Sequence, residues 1–177
     1  MAERTDTKII VVTGAESTGK TELCRFLSQE LDIPWVPELA RGYVEQLGRP
    51  YTYDDVVEIA RLQIAEFENA IKGESNIVIF DTDLIITKVW LEVVYGSCPA
   101  WIPEAICSHP ATLHLLCKTD IPWVADNVRE NGGTMRDKLS GMYRKELETF
   151  GLPYVEISGD GDERRQTALD AVKNIMS

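Results

Sequence analysis

A glycine-rich segment near the start of the chain carries the residues best suited to bind phosphate. Residues 14–21 read Gly-Ala-Glu-Ser-Thr-Gly-Lys-Thr and fit the pattern G-x-x-x-x-G-K-[ST]. In such a loop, backbone N–H groups converge on phosphate oxygens, Lys20 reaches the β and γ phosphates, and the Thr21 hydroxyl can ligate Mg²⁺. The segment therefore predicts binding of ATP or GTP with Mg²⁺. The residues expected to hold the nucleotide are Gly14, Ala15, Glu16, Ser17, Thr18, Gly19, Lys20, Thr21 and Glu22.

Two carboxylates, Asp81 and Asp83, follow an apolar run at residues 77–80. Their position predicts that they emerge at the carboxyl end of a strand, where doubly wound sheets bind ligands. Asp81 is then expected to hold Mg²⁺, directly or through a water, together with Thr21. Asp83 is expected to face the same crevice and to orient or deprotonate a substrate hydroxyl. Its alternative role is to cap the helix that begins at Leu84, because Asp is a favoured N-cap residue.

A second pair of charged residues, Glu38 and Arg41, lies just after the apolar residues 33–37. A carboxylate there can take a proton from an attacking hydroxyl, which makes Glu38 a rival of Asp83 as the general base. Arg41 can neutralise a transferring phosphoryl group or hold the carboxylate in place. Tyr43 can stack on a flat ring or pack in the core. The alternative for Glu38 and Arg41 is a local ion pair at the start of a surface helix.

A polar, glycine-containing segment at residues 119–134, the lid segment, is predicted to close over the nucleotide. Arg129, helped by Arg136, is expected to swing onto the phosphates on closure, which adds positive charge in the transition state and excludes water. As an alternative, either arginine is an ordinary solvated charge. With this segment, the predicted catalytic residues are Lys20, Glu38, Asp83 and Arg129.

The elements that must position these residues alternate between short apolar runs and helical patterns. Nearly continuous apolar runs are typical of strands covered on both faces, so the pattern predicts an α/β fold of three layers, with a five-stranded parallel sheet between helices. Pro34 and Pro37 cannot donate ladder hydrogen bonds, which places the second strand at an edge. The predicted strands are residues 8–13, 33–37, 76–80, 111–117 and 153–158, and the predicted helices include residues 22–31, 84–95, 135–150 and the stretch between Thr52 and Gly73.

Composition limits the class of protein and of partner. The chain has 177 residues, of which 44% are hydrophobic and 27% charged, so one domain over residues 1–177 is expected. A net charge of −11 disfavours nucleic acid and anionic membranes as partners and favours a small-molecule substrate. Residues 1–7 are polar, unlike a signal peptide, and no run of about 18 apolar residues exists. A cytoplasmic protein is expected, with its four cysteines as reduced packing residues.

Four segments together resemble the ribosylnicotinamide kinase domain of the NadR proteins. They are the loop at residues 14–21, Glu-Leu-Ala-Arg-Gly-Tyr at 38–43, Phe-Asp-Thr-Asp at 80–83, and Pro-Trp-Val-Ala-Asp-Asn-Val-Arg at 122–129. Their order and approximate spacing agree with that family, and the resemblance covers nearly the whole chain. It implies a P-loop kinase of the AAA-type ATPase/kinase superfamily, which transfers the γ-phosphoryl group of ATP to the 5′-hydroxyl of nicotinamide riboside and yields nicotinamide mononucleotide.

The resemblance also implies a set of contacts with a nucleoside substrate and with ATP and Mg²⁺. By analogy with the fold, the adenine is expected near Gly159 and Asp160. The expected substrate-binding residues are Glu38, Arg41, Tyr43, Asp83, Trp123 and Asp126.

Three alternatives stay open at this stage. Many members of the resembled family carry an adenylyltransferase domain ahead of the kinase unit, whereas only seven residues precede the first predicted strand here, so a stand-alone domain is expected and its acceptor could be another nucleoside-like alcohol. A regulatory P-loop ATPase would show the same loop, carboxylate and arginine. A GTPase is the third alternative, since residues 117–120, Cys-Lys-Thr-Asp, approach the guanine-binding N-K-x-D pattern but lack its Asn.

Overall fold

Five parallel strands form the centre of the computed structural model, which describes residues 7–177. Residues 1–6, part of the polar stretch interpreted above, lie outside the described residues. The strands follow the spatial order β2-β3-β1-β4-β5, and every neighbouring pair is parallel. The sheet confirms the predicted architecture. Its strands are β1 Lys8–Gly14, β2 Trp35–Val36, β3 Ile77–Asp81, β4 Leu113–Cys117 and β5 Tyr154–Ile157.

The second strand lies at the edge of the sheet, as its prolines predicted. It is only two residues long, against the five expected, because Pro34 and Pro37 flank it and cannot donate to a neighbouring strand. Pro34 still contributes its carbonyl, which accepts a hydrogen bond from the Ile79 N–H of β3 at 3.0 Å. The prolines therefore shorten the edge strand without detaching it from the sheet.

Helices cover both faces of the sheet, which explains why its central strands are apolar on both sides. On β1, Ile10 and Val12 face the helices at residues 20–31 and 161–176, while Ile9 and Val11 face the layer that contains the helix at residues 53–72, and all four are buried. The predicted set lacks the two short helices at residues 39–46 and 101–108 and the last helix at residues 161–176. The helices are α1 Lys20–Leu31, α2 Leu39–Gln46, α3 Tyr53–Lys72, α4 Leu84–Tyr95, α5 Trp101–Ser108, α6 Gly133–Thr149 and α7 Gly161–Met176.

The long helix α3 begins and ends where the sequence indicated. The Thr52 hydroxyl accepts a hydrogen bond from the Asp55 N–H at 3.4 Å, and the Asp55 carboxylate accepts one from the Thr52 N–H at 2.7 Å. This capping box satisfies two donors at the helix start. Gly73 follows the last residue of the helix.

The carboxyl ends of the three central strands meet at one edge of the sheet, where Gly14, Asp81 and Cys117 lie. Of the cysteines, Cys24 and Cys117 are buried and Cys107 is exposed, so the expected packing role does not apply to Cys107. Within residues 7–177, no helix combines the length and the apolarity that crossing a membrane requires.

Candidate nucleotide-binding site

The phosphate-binding loop, residues 14–21, joins the end of β1 to the start of α1. Two of its glycines are needed for their backbone geometry. Gly14 has φ 142°, and a Cβ there would lie 2.6 Å from the Cys117 carbonyl oxygen. Gly19 has φ 77° and immediately precedes α1. Lys20 then places its ammonium 2.8 Å from the Ala15 carbonyl, inside the curve of the loop.

Arginines from two distant helices hold the carbonyl groups of this loop. Arg136 of α6 donates from Nε to the Glu16 carbonyl at 3.0 Å and from Nη2 to the Ser17 carbonyl at 2.8 Å. Arg164 of α7 donates from Nη1 to the Thr18 carbonyl at 2.7 Å. In a planar trans peptide, the N–H of one residue points away from the carbonyl of the residue before it. The N–H groups that follow the bonded carbonyls therefore point away from the arginines. Sequence analysis missed this role for both residues.

The two predicted metal ligands lie next to each other. The Thr21 hydroxyl donates to Asp81 Oδ2 at 2.5 Å, and Asp81 is only 2% exposed. Asp81 Oδ1 is buried and has no hydrogen-bond partner among residues 7–177. Burial raises the pKa of the Asp81 carboxyl, while the Thr21 hydrogen bond and the charge of Lys20 lower it. A hydroxyl and one carboxylate with a free oxygen fit Mg²⁺, which protein sites bind through few side chains and the phosphates of the substrate.

Asp83 does not face the same way as Asp81. Its Oδ1 accepts the Ile85 N–H at 3.1 Å and caps α4, and its Oδ2 lies 2.8 Å from Nε2 of His114 in β4. Both carboxylate oxygens of Asp83 thus form hydrogen bonds on the side of the turn opposite Asp81. The geometry favours the capping alternative for Asp83 over contact with a substrate, and His114 is itself fully buried.

Glu38 lies immediately before α2 and lines the large cavity described below. Burial raises the pKa of its carboxyl, the charge of Lys20 lowers it, and the charge of Asp81 raises it, with a net increase. A carboxyl with a raised pKa is a better proton acceptor once ionised, which suits a general base. Of the two carboxylates considered for that role, the structure places only Glu38 on the cavity.

Arg41, in the first turn of α2, reaches across to the lid segment. It forms an ion pair with Asp126 and a second, at 3.3 Å, with Glu45. Asp126 also accepts hydrogen bonds from the Val128 and Arg129 N–H groups, and these bonds together with Arg41 lower its pKa to about 2. Asp126 therefore connects α2 to the lid segment and is not itself on the cavity wall.

Tyr43 and Trp123, like Asp83 and Asp126, were predicted to bind substrate and lie away from the cavity wall. The Tyr43 hydroxyl donates to Asp55 Oδ1 at 3.4 Å. The Trp123 indole packs against Gly132, where an added Cβ would lie 3.2 Å from the ring. Their roles as substrate contacts stay predictions, and the observed positions support packing instead.

The lid segment contacts the phosphate-binding loop directly. The Glu16 carboxylate accepts the Glu130 N–H at 3.0 Å and the Asn131 N–H at 2.8 Å, and the Ser17 hydroxyl accepts the Val124 N–H at 2.9 Å. These bonds place the lid segment beside the loop that it was expected to cover.

The two arginines proposed for the lid have different surroundings. Arg129 lines the cavity, donates to the Val124 carbonyl at 2.6 Å, and pairs with Asp126 at 3.3 Å. Arg136 is only 6% exposed and already bonds the loop carbonyls, so it does not act as a second mobile cation or as a solvated charge. Arg129 is thus the one of the two that is positioned to approach phosphates.

A cavity of about 890 Å³ extends from the phosphate-binding loop to an aromatic wall that sequence analysis missed. The end of the cavity away from the loop is called the acceptor end below. There the rings of Tyr51 and Trp90 meet edge to face with centroids 4.8 Å apart, and Tyr95 lies nearby. The Thr87 hydroxyl donates to Gln63 Oε1 at 2.7 Å beside them. The only signal in the sequence was that residues 84–95 are apolar on several sides, more than packing on a sheet requires.

The region expected to hold adenine is tied to the loop through Arg164. Gly159 donates its N–H to Asp120 Oδ2 at 2.7 Å and accepts from Arg164 Nε at 2.9 Å. Asp120 also pairs with Arg164 at 2.5 Å. Residues 120 and 159 therefore lie close together next to the phosphate-binding loop, and adenine binding there stays a prediction.

A family model described as an AAA domain matches residues 9–164 of the chain. The trifunctional NAD biosynthesis/regulator protein NadR of Salmonella typhimurium is 23% identical over 177 residues, which cover 96% of this chain and 43% of that protein. The NadR protein of Escherichia coli gives the same figures. The chain thus spans less than half the length of these relatives.

Solved structures give the same picture at the level of the fold. The NadR protein in complex with NR has a TM-score of 0.79 and 25% identity, and the match covers 97% of this chain and 51% of that one. The NadR protein in complex with NAD and AMP-PNP has the same TM-score and identity, over 97% of this chain and 50% of that one. Thymidylate kinase from Ehrlichia chaffeensis, at 12% identity, matches with a TM-score of 0.69 over 97% of this chain and all of its own. These likenesses confirm the predicted P-loop kinase-like fold.

Proposed function

The chain belongs to the AAA-domain family of P-loop proteins, and from this premise we propose that it is an ATP-dependent kinase acting on nicotinamide riboside. The reaction transfers the γ-phosphoryl group to the 5′-hydroxyl and gives nicotinamide mononucleotide. The observation that carries the proposal is the continuous cavity that joins the phosphate-binding loop to the aromatic acceptor end. The similarity to NadR proteins, solved with NR and with AMP-PNP, supports the same pair of substrates.

The donor half of the reaction rests on Lys20, Thr21 and Asp81. The loop amides and Lys20 bind the phosphates of ATP, and Thr21 and Asp81 would hold Mg²⁺. When bound, Mg²⁺ supplies positive charge to the β and γ phosphates. Arg136 and Arg164 bind the loop carbonyls, so the N–H donors of the loop are already oriented before ATP binds.

The acceptor half rests on Glu38. In the proposed mechanism its carboxylate accepts the proton of the 5′-hydroxyl as that oxygen attacks the γ-phosphorus. Glu38 shares the cavity with Lys20 and Arg41, which keeps the base and the phosphate-binding groups in one enclosed space. Arg129 then stabilises the charge that develops on the transferred group, while the lid segment limits the access of water.

Recognition of the base ring is proposed for the acceptor end. The faces of Trp90 and Tyr51 suit a flat aromatic ring, and the Thr87 and Gln63 side chains offer a hydroxyl and an amide to its substituents. This assignment replaces Tyr43 and Trp123, which lie away from the cavity. We place the reaction in the cytoplasm, where ATP is available.

The proposal is tested by measuring ADP release from Mg-ATP with and without nicotinamide riboside, beside a panel of ordinary nucleosides, with the product identified by mass. Stimulation confined to nicotinamide riboside, with the mononucleotide as product, would support it. Stimulation by another nucleoside would keep the kinase and replace the acceptor. ADP release that no small alcohol stimulates would favour the regulatory ATPase. The Lys20→Ala variant is the control for contaminating activity.

A further inference from the structure

A buried hydrogen bond connects the central sheet to the turn that carries the metal-binding carboxylate. His114, in β4, is fully buried, and its Nε2 lies 2.8 Å from Oδ2 of Asp83, 31 residues earlier in the chain. Because an ionised carboxylate only accepts hydrogen bonds, Nε2 carries the proton and donates it. His114 Nδ1 is buried and has no partner among the described residues, so the bond to Asp83 is the one polar contact of this ring.

The residue between the two aspartates has a strained backbone. Thr82 has φ 70°, a value that β-branched residues rarely adopt, and it is only 6% exposed. Such a conformation persists only where its surroundings hold it. On one side the Thr82 N–H donates to the Val12 carbonyl at 2.9 Å, and on the other side Asp83 is fixed by His114 and by the start of α4.

The conformation of this turn determines which of its side chains face the cavity. Asp81 points to Thr21, Thr82 lines the cavity, and Asp83 points the opposite way to His114. The same Asp83 carboxylate caps α4, the helix that supplies Thr87 and Trp90 to the acceptor end. A loss of the anchor at Asp83 would therefore affect both the metal ligand and the acceptor wall.

We propose that the buried His114–Asp83 pair is a positioning device that holds Thr82 in its left-handed conformation and thereby keeps Asp81 aimed at the Mg²⁺ site. His114 touches neither substrate nor metal, and it acts through Asp83 and the turn. This inference rests on the proposed function for its kinetic readout, but binding of Mg-ADP reports on it independently.

The test uses His114→Phe, which keeps a ring and removes the donor, and the matched control His109→Phe. His109 lines the same small cavity as His114 but contacts Glu68 and the Ala105 carbonyl, not Asp83. We expect His114→Phe to lower kcat about tenfold, with a smaller change in the KM for ATP, since outer partners of metal ligands have effects of this size. It should also weaken ADP binding in Mg²⁺ more than ADP binding in EDTA. His109→Phe should change neither quantity more than about twofold.

A double variant separates positioning from general stability. Glycine adopts φ 70° without strain, so in a Thr82→Gly background the turn no longer needs its anchor. There we expect His114→Phe to lower kcat only about threefold or less, which is a measurable coupling between the two sites. If His114→Phe fails to fold, Asp83→Ser is the second variant, since serine can still cap α4 but is too short to reach His114.

The outcomes are distinct. Equal effects of His114→Phe and His109→Phe on kcat would overturn the proposal. So would effects of His114→Phe and Thr82→Gly on kcat that are independent of each other. So would a lowered melting temperature with unchanged Mg²⁺-dependent ADP binding. A wild-type protein that phosphorylates no acceptor would refute the proposed function, while the Mg²⁺-dependent ADP binding of the variants would still decide the role of the pair.

Discussion

Arg136→Met removes the guanidinium that holds the phosphate-binding loop from behind and keeps most of the volume of the side chain. The two lost hydrogen bonds come from a charged donor, and each contributes about 1.5–3 kcal/mol net. Burial lowers the pKa of Arg136, which shows that its charge is held at some desolvation cost, and this cost offsets part of the gain. We therefore expect a loss of about 2–4 kcal/mol in the free energy of unfolding.

The assay is urea denaturation followed by circular dichroism, together with the affinity for Mg-ADP. Arg144→Met is the matched control, because Arg144 lies on the same helix but pairs with Glu156 while its side chain is 41% exposed. Such a pair should contribute less than about 1 kcal/mol. Arg136→Met should also weaken Mg-ADP binding, which Arg144→Met should leave unchanged. If both variants unfold at the same urea concentration, the buried arginine does not hold the loop and the reasoning fails.

Three further predictions concern the proposed reaction, each measured by ADP release with nicotinamide riboside. Lys20→Ala should lower kcat about a hundredfold or more, and an unchanged rate would contradict the role of the loop lysine. Arg129→Ala should lower kcat by about a hundredfold while the KM for ATP changes less; the opposite pattern would make Arg129 a ground-state contact. The raised pKa of Glu38 keeps its carboxyl protonated to a higher pH, so kcat/KM should fall as the pH drops through that raised pKa. Glu38→Gln should lower kcat about a hundredfold and abolish this acidic limb, and a limb that persists would exclude Glu38 as the base.

The fold could be predicted because its signals are local. Continuous apolar runs identified the buried parallel strands, and the prolines beside Trp35 and Val36 identified the edge. The capping box at Thr52 fixed the start of α3 to the residue. The phosphate-binding loop is likewise a contiguous motif, whose geometry follows from glycines at Gly14 and Gly19. Each of these features depends on residues within one turn or one strand.

The orientation of Asp83 could not be predicted in the same way. Sequence position placed both aspartates at one strand end, and an extended chain would have pointed residues two apart to the same side. The left-handed conformation of Thr82 breaks that alternation, and its cause includes a histidine in another strand. The acceptor end was missed for a similar reason, since Tyr51 and Trp90 belong to different segments that only the folded chain brings together.

The phosphate-binding loop shows why a motif describes only half of a site. The motif accounts for the N–H groups that face phosphate, but every peptide also carries a carbonyl, and buried carbonyls need partners. Here the partners are Arg136 and Arg164, 120 and 146 residues away from the loop residues that they bind. Arg136 also stands in the first turn of α6, directly after the lid segment, whose residues 130 and 131 bond the Glu16 carboxylate. The start of α6 therefore positions both the loop, which orients ATP, and the lid segment, which covers it.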